Sequence, residues 1–165
     1  TNQYLCYINA DIILTSTFLA SVSRVINQTN WFMMTARRWN LDMSGQLEFA
    51  NNWETDLLRD VVTRGTLGKH TQIDFWVYPK GLLSEMPPFA VGRVAYECWC
   101  LYRARKLKAE VIDATEVVMS VHQKSNAFGS QIITFLCTVP VHCQERMFLT
   151  INNIDFSMKI TPKIT

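Results

Sequence analysis

Tyr7-Ile8-Asn9-Ala10-Asp11-Ile12-Ile13-Leu14 is an apolar stretch interrupted by an amide and a carboxylate two residues apart. Leu5, Tyr7 and Ile8 suit a buried strand that ends at these polar residues. In extended chain, residues i and i+2 share a face, so the spacing predicts that Asn9 and Asp11 converge on one ligand. Ligands of open α/β sheets bind at the carboxyl ends of strands, where this pair falls. A hard divalent cation carrying phosphates suits it, because Mg²⁺ takes few protein oxygens and keeps several waters. The competing reading is a helix start, with Asp11 or Thr15 as the N-cap of the next segment.

Working outward, strand-like and helix-like segments alternate, which predicts an α/β fold. Phe18, Leu19, Val22, Val25 and Ile26 recur at helical spacing, with Thr15 or Ser16 as the cap of a helix over 16–25. Residues 31–36 read as a buried strand. Arg37, Arg38, Trp39, Asn40 and Leu41 are then expected to leave the sheet, carrying two guanidinium groups past its edge. Residues 52–64 read as an amphipathic helix with Trp53, Leu57, Leu58, Val61 and Val62 inward, closed by Gly65 and Gly68. A strand is expected over 73–78, a stiff turn at Pro87-Pro88, and a helix from about Val94 to Lys108. Two short strands follow, over 110–113 and 116–121. Beyond Lys124 charge falls, and Ile132, Phe135, Ile151 and Ile160 keep no clean period, so two or three poorly specified strands or disorder are expected there.

Composition narrows the function classes. The 165 residues make one ordinary domain, and nine Phe, five Trp and five Tyr supply a core. A formal charge of +2 carries no electrostatic signature for nucleic acid or anionic lipid. Five cysteines form neither a disulfide framework nor a zinc knuckle, and Cys137, His142 and Cys143 lack a fourth metal ligand. Inert buried thiols are expected. No apolar run reaches the length of a membrane span. The chain opens on Thr1 and runs straight into a core-like strand, so a cut is expected there, with further sequence upstream.

Two more constellations carry chemistry. Gly92-Arg93 precedes a helix whose free N–H groups favour an anion, and Glu97 lies one turn along from Arg93. Arginine for phosphate and glutamate as general base is one reading; a solvated i, i+4 surface pair is the other. His122 closes an apolar strand, where a histidine is commonly a satisfied edge residue. Sharing an ion with Asp11 is the alternative, and imidazole with carboxylate suits Mn²⁺ better than Mg²⁺. The basic run Arg103, Arg105, Lys106 and Lys108 reads as a solvated helix end. Asn27-Gln28-Thr29 fits a glycosylation acceptor, a pattern common by chance.

In order, these segments resemble a glycosyltransferase of the GT-A class, the nucleotide-diphospho-sugar transferases. The resemblance rests on Tyr7 to Leu14, on Asp74-Phe75-Trp76-Val77-Tyr78-Pro79-Lys80-Gly81-Leu82, on Pro87-Pro88-Phe89-Ala90-Val91-Gly92-Arg93, and on Val111-Ile112-Asp113-Ala114-Thr115 with His122-Gln123. It implies a partial Rossmann-like α/β domain, a mixed sheet with flanking helices, over residues 1–123. That stretch would be the C-terminal portion of such a domain, lacking its N-terminal nucleotide-binding half, with a divergent tail over 124–165. It implies sugar transfer from a nucleotide-sugar donor to a glycan or other hydroxyl acceptor, with a divalent cation, Mn²⁺ or Mg²⁺. Asn9 and Asp11 match the class's Asp-x-Asp metal motif, with Asp11 and His122 as metal ligands. Glu97 matches the base, Asn9, Asp74 and Arg93 fall to donor binding, and Trp99 with Trp76 and Tyr96 would wall a water-poor pocket. Here one motif carboxylate is an amide, and Glu97 is one methylene longer than the aspartate of the class pattern. A non-catalytic carbohydrate- or protein-binding module that keeps a degenerate GT-A fold is the alternative.

Overall fold

The computed structural model describes residues 3–43, 47–88, 96–124 and 134–139. Over these it is mixed α/β, with three helices and two mixed sheets. The elements run β1 (Tyr4–Asn9), β2 (Ile12–Leu14), α1 (Thr17–Ile26), β3 (Phe32–Thr35), β4 (Arg38–Asp42), α2 (Trp53–Arg64), β5 (Thr66–Leu67), β6 (Phe75–Pro79), α3 (Tyr96–Lys106), β7 (Glu110–Asp113), β8 (Ser120–Lys124) and β9 (Thr134–Val139). The larger sheet has the order β7-β3-β6-β1-β9, parallel only at β3–β7. The smaller has the order β2-β8-β4-β5, parallel only at β4–β8.

Period-two alternation builds a core on both faces of the larger sheet. Tyr4 and Cys6 of β1, Phe32 and Met34 of β3, and Phe75 and Val77 of β6 pack with Phe18 and Val22 of α1. Tyr7, Met33, Trp76 and Tyr78 turn the other way, against Tyr96, Cys100 and Ala104 of α3. Tyr7 stacks on Trp76 with ring centroids 4.2 Å apart, and Tyr96 leans on both. The smaller sheet uses one face for its own cluster: Leu41, Val121, Trp39 and Ile13 pack with Leu57 and Val61 of α2.

Several sequence expectations are corrected. Residues 37–41 do not leave β structure. Arg38–Asp42 is β4, one of the two inner strands of the second sheet, because Trp39 and Leu41 alternate with polar residues and find α2. Val62 stands 76% exposed rather than inward, since Val61 already occupies the buried line of α2 at 0%. Gly65 ends α2, and a Cβ there would stand 2.5 Å from the Val61 carbonyl oxygen. Gly68 follows β5 instead of closing the helix. Ser16 occupies the N-cap position of α1 without a side-chain cap bond; its N–H and its hydroxyl both donate to Glu54 Oε1, at 2.9 and 2.7 Å. The strand expected over 116–121 is displaced to Ser120–Lys124, after a turn at Thr115–Val117. Of the segment beyond Lys124, β9 alone is described, paired along the whole of β1. His142 and Cys143 lie outside the described residues, as does Arg93.

Candidate functional site

Asn9 ends β1, and Ala10 and Asp11 form the turn into β2, so the chain passes there from the larger sheet to the smaller. The two polar residues therefore do not share one strand face as the spacing predicts, and each takes its own partner. Asn9 continues the β1–β6 ladder by one rung, its N–H donating to the Asp74 carbonyl at 2.9 Å. Its side-chain Nδ2 donates to Asp74 Oδ1 at 2.8 Å. Asp11 meets His122 instead, with Nε2 and Oδ2 at 3.2 Å. The backbone ties this contact, since Gln123 N–H donates to the Asp11 carbonyl at 3.0 Å and Ile12 is the ladder partner of His122. Asp11 caps no helix, because α1 starts at Thr17.

Arg38 joins the two halves. It reaches from β4 to the Asp74 carboxylate, with Nη1 3.2 Å from Oδ1 and 3.1 Å from Oδ2. Its Nε donates to Asn40 Oδ1 at 3.0 Å. Asn40 is the ladder partner of His122, and Arg38 that of Ser120. These four residues take the face of the smaller sheet opposite α2, because Trp39, Leu41 and Val121 take the other. The neighbouring Arg37 serves elsewhere: its N–H donates to Thr115 Oγ1 at 2.9 Å.

Electrostatics follow the contacts. The hydrogen bond from His122 holds the Asp11 carboxyl below the usual carboxylate range, against the upward push of burial, and Arg38 adds a further downward pull. Asn9 Oδ1, Asp11 Oδ1, Ser120 Oγ and His122 Nδ1 are buried without a hydrogen-bond partner among the described residues. Buried polar atoms are normally satisfied by protein, water or an ion, so this cluster is suited to receive a polar guest. A carboxylate beside an imidazole is a pair of donor types that a divalent cation also takes. At 3.2 Å the contact is a hydrogen bond from His122 Nε2 to Asp11 Oδ2, and a cation shared by the two would take the place of that proton. Among the described residues no group of three His, Cys, Asp or Glu side chains is placed to hold a metal. Such an ion would thus draw its other ligands from water and phosphate.

Glu97 lies in the first turn of α3, half-buried, beside Tyr96. Tyr96 packs 5.7 Å from Tyr7 and 5.6 Å from Trp76 between ring centroids. Tyr7 pairs with Trp76 two residues before the Asn9–Asp74 rung, on the same face. The aromatic cluster under the start of α3 therefore lies two residues, about 7 Å of strand, from the Asn9–Asp74 pair. Trp76 and Tyr96 are 1% and 4% exposed, so they are core rather than the wall of an open pocket. Trp99 packs partly buried on the same cluster. A depression of about 140 Å³ lined by Thr15, Leu58, Thr115 and Met119 is smaller than ordinary ligand pockets.

Asn9, Asp74, Asp11 and His122 are thus brought into one neighbourhood, and Glu97 makes no hydrogen bond or ion pair with any of them among the described residues. Arg38 and Asn40 were missed as site residues. The available signal was the alternation of Arg38, Asn40 and Asp42 with Trp39 and Leu41, which places the polar residues on one strand face. No helix among the described residues is long and apolar enough to cross a membrane. Comparison of the chain with family models, with curated proteins and with solved structures finds no match in any of the three.

Proposed function

We propose that the chain is a GT-A-like domain that transfers a sugar from a nucleotide-sugar donor to an acceptor hydroxyl. The observation that supports this reading is the contact of Asp11 with His122, the two residues in which the sequence resemblance puts metal ligands. Asp11 and His122 would hold a Mn²⁺ or Mg²⁺ ion, and the ion would supply positive charge against the leaving diphosphate. Glu97 takes the acceptor's proton while the hydroxyl oxygen bonds to the anomeric carbon. The bond from that carbon to the phosphate oxygen breaks, and its electron pair leaves with the nucleoside diphosphate. Arg93 adds a cation for the phosphates, and Trp99 contributes apolar surface in the first turn of α3.

Isothermal titration of the chain with Mn²⁺, followed by a panel of nucleotide sugars, tests the reading. The expected result is one bound ion, weakened at least ~10-fold in both Asp11→Ala and His122→Ala. A nucleotide sugar should bind only with the ion present, and Glu97→Gln should keep that binding while turnover falls ~100-fold. A wild-type chain that takes neither Mn²⁺ nor any nucleotide sugar overturns the proposal. Carbohydrate binding without an ion and without turnover would instead favour the non-catalytic module.

A further inference from the structure

Arg38 is held at two of its three guanidinium nitrogens. Nη1 faces both Asp74 oxygens and Nε faces Asn40 Oδ1. Nη2 has no hydrogen-bond partner among the described residues, and the side chain keeps 20% of its surface exposed. Asp74, with 9% side-chain exposure, is itself fixed by Asn9. A guanidinium pinned by a buried carboxylate is pre-organised, so its remaining N–H groups can bind an anion without further loss of side-chain freedom. Its neighbours place it. Asp74 links it to Asn9 at the end of β1, and Asn40 links it to the strand position opposite His122. It therefore lies between the two arms of the candidate site.

We propose that Arg38 grips the donor's diphosphate through its free Nη2, with Asp74 and Asn40 as the positioning residues that aim it. This rests on the donor reading given above, and it names a phosphate contact that the sequence assigned to Arg93 alone. Charge balance sets a condition. Arg38 and Asp74 cancel and Asp11 leaves one negative charge, so a diphosphate is welcome only after a divalent ion has joined Asp11 and His122. Arg38 then supplies direction as well as charge, because the pinned plane fixes where the two Nη2 N–H bonds point.

Inorganic pyrophosphate is the probe, titrated into the chain with Mn²⁺ present and with chelator. Arg38→Lys keeps a cation against Asp74 but leaves no further nitrogen aimed at the phosphate. We expect it to hold Mn²⁺ within about threefold of wild type and to lose ~10-fold or more in pyrophosphate affinity. A second measurement needs no variant. Phenylglyoxal should modify Arg38 of the wild-type chain, as mapped by mass spectrometry, and Mn²⁺ with pyrophosphate should protect it where Mn²⁺ alone does not. A folded Arg38→Lys that binds pyrophosphate like wild type, or equal modification of Arg38 in both conditions, overturns the role of Arg38 and leaves the transferase reading standing. A wild-type chain that binds neither Mn²⁺ nor pyrophosphate overturns both.

Discussion

Asp11 owes its lowered pKa first to the hydrogen bond from His122, which outweighs the cost of burying the carboxylate. Its folded value therefore lies under its unfolded value, about 3.9. Such a group stabilises the fold fully above the unfolded pKa, and the contribution is lost as pH falls through the folded one. In metal-free buffer, Asp11→Asn should melt below wild type at pH 7, and the gap should be smaller at pH 3. With 43% of the side chain exposed, a gap of no more than ~3 °C is expected. Thermal melts by circular dichroism decide it, and a gap equal at both pH values would contradict the assignment. The thiols separate as cleanly. Burial pushes Cys100 up to about 12, whereas Cys98, two residues away on the other side of α3, is exposed. At pH 8, iodoacetamide should alkylate Cys98 at least ~10-fold faster than Cys100 or the buried Cys6. Peptide mapping over time reads the ratio, and equal rates would mean that α3 does not cover its cluster.

At the scale of elements, a helix is legible where one face is apolar, but its edges are set by what it meets. Residues 53–64 show a broad apolar stripe, and both Val61 and Val62 fit it by periodicity alone. Only Val61 is buried, because the smaller sheet offers a narrow surface of Leu41 and Val121. Val61→Ala should cost about 2 kcal/mol by urea denaturation and Val62→Ala less than about 0.5 kcal/mol. A reversal of that order would place the wrong face of α2 on the sheet. The same limit explains the strands. β1, β3 and β6 are buried on both faces and read as apolar runs, so the sequence locates them to within two residues. β4 is buried on one face, and its Arg38 and Asn40 look like loop residues until a second sheet exists for Trp39 and Leu41 to join. Asp11 and His122 were legible because each stands where an apolar run stops. Arg38 was not, since its partner Asp74 is 36 positions away and neither neighbourhood alone calls for an ion pair.

For the whole molecule, the Arg38–Asp74 pair is where the two sheets are fastened. Asp74 leads into β6 of the larger sheet, and Arg38 begins β4 of the smaller. The chain crosses between the sheets three times beside them, at Ala10–Asp11, at Ala36–Arg37 and over 68–74 between β5 and β6. The pair lies mostly out of solvent, at 20% and 9% side-chain exposure, and each member is further hydrogen-bonded by an asparagine. Removing one charge from such a pair is worse than removing both, because a lone charge is left in a poorly solvated place. Asp74→Asn alone should therefore cost about 2–3 kcal/mol, since Arg38 loses its counter-charge and an amide must serve Asn9. Arg38→Gln alone should cost a similar amount. The double variant should cost less than the sum by more than about 1 kcal/mol, and urea denaturation of all four proteins closes the cycle. A coupling near zero would mean that the pair is a surface ornament. The sheets would then be held together by their separate apolar clusters alone, and the guanidinium beside Asp11 and His122 would be free to turn away from them.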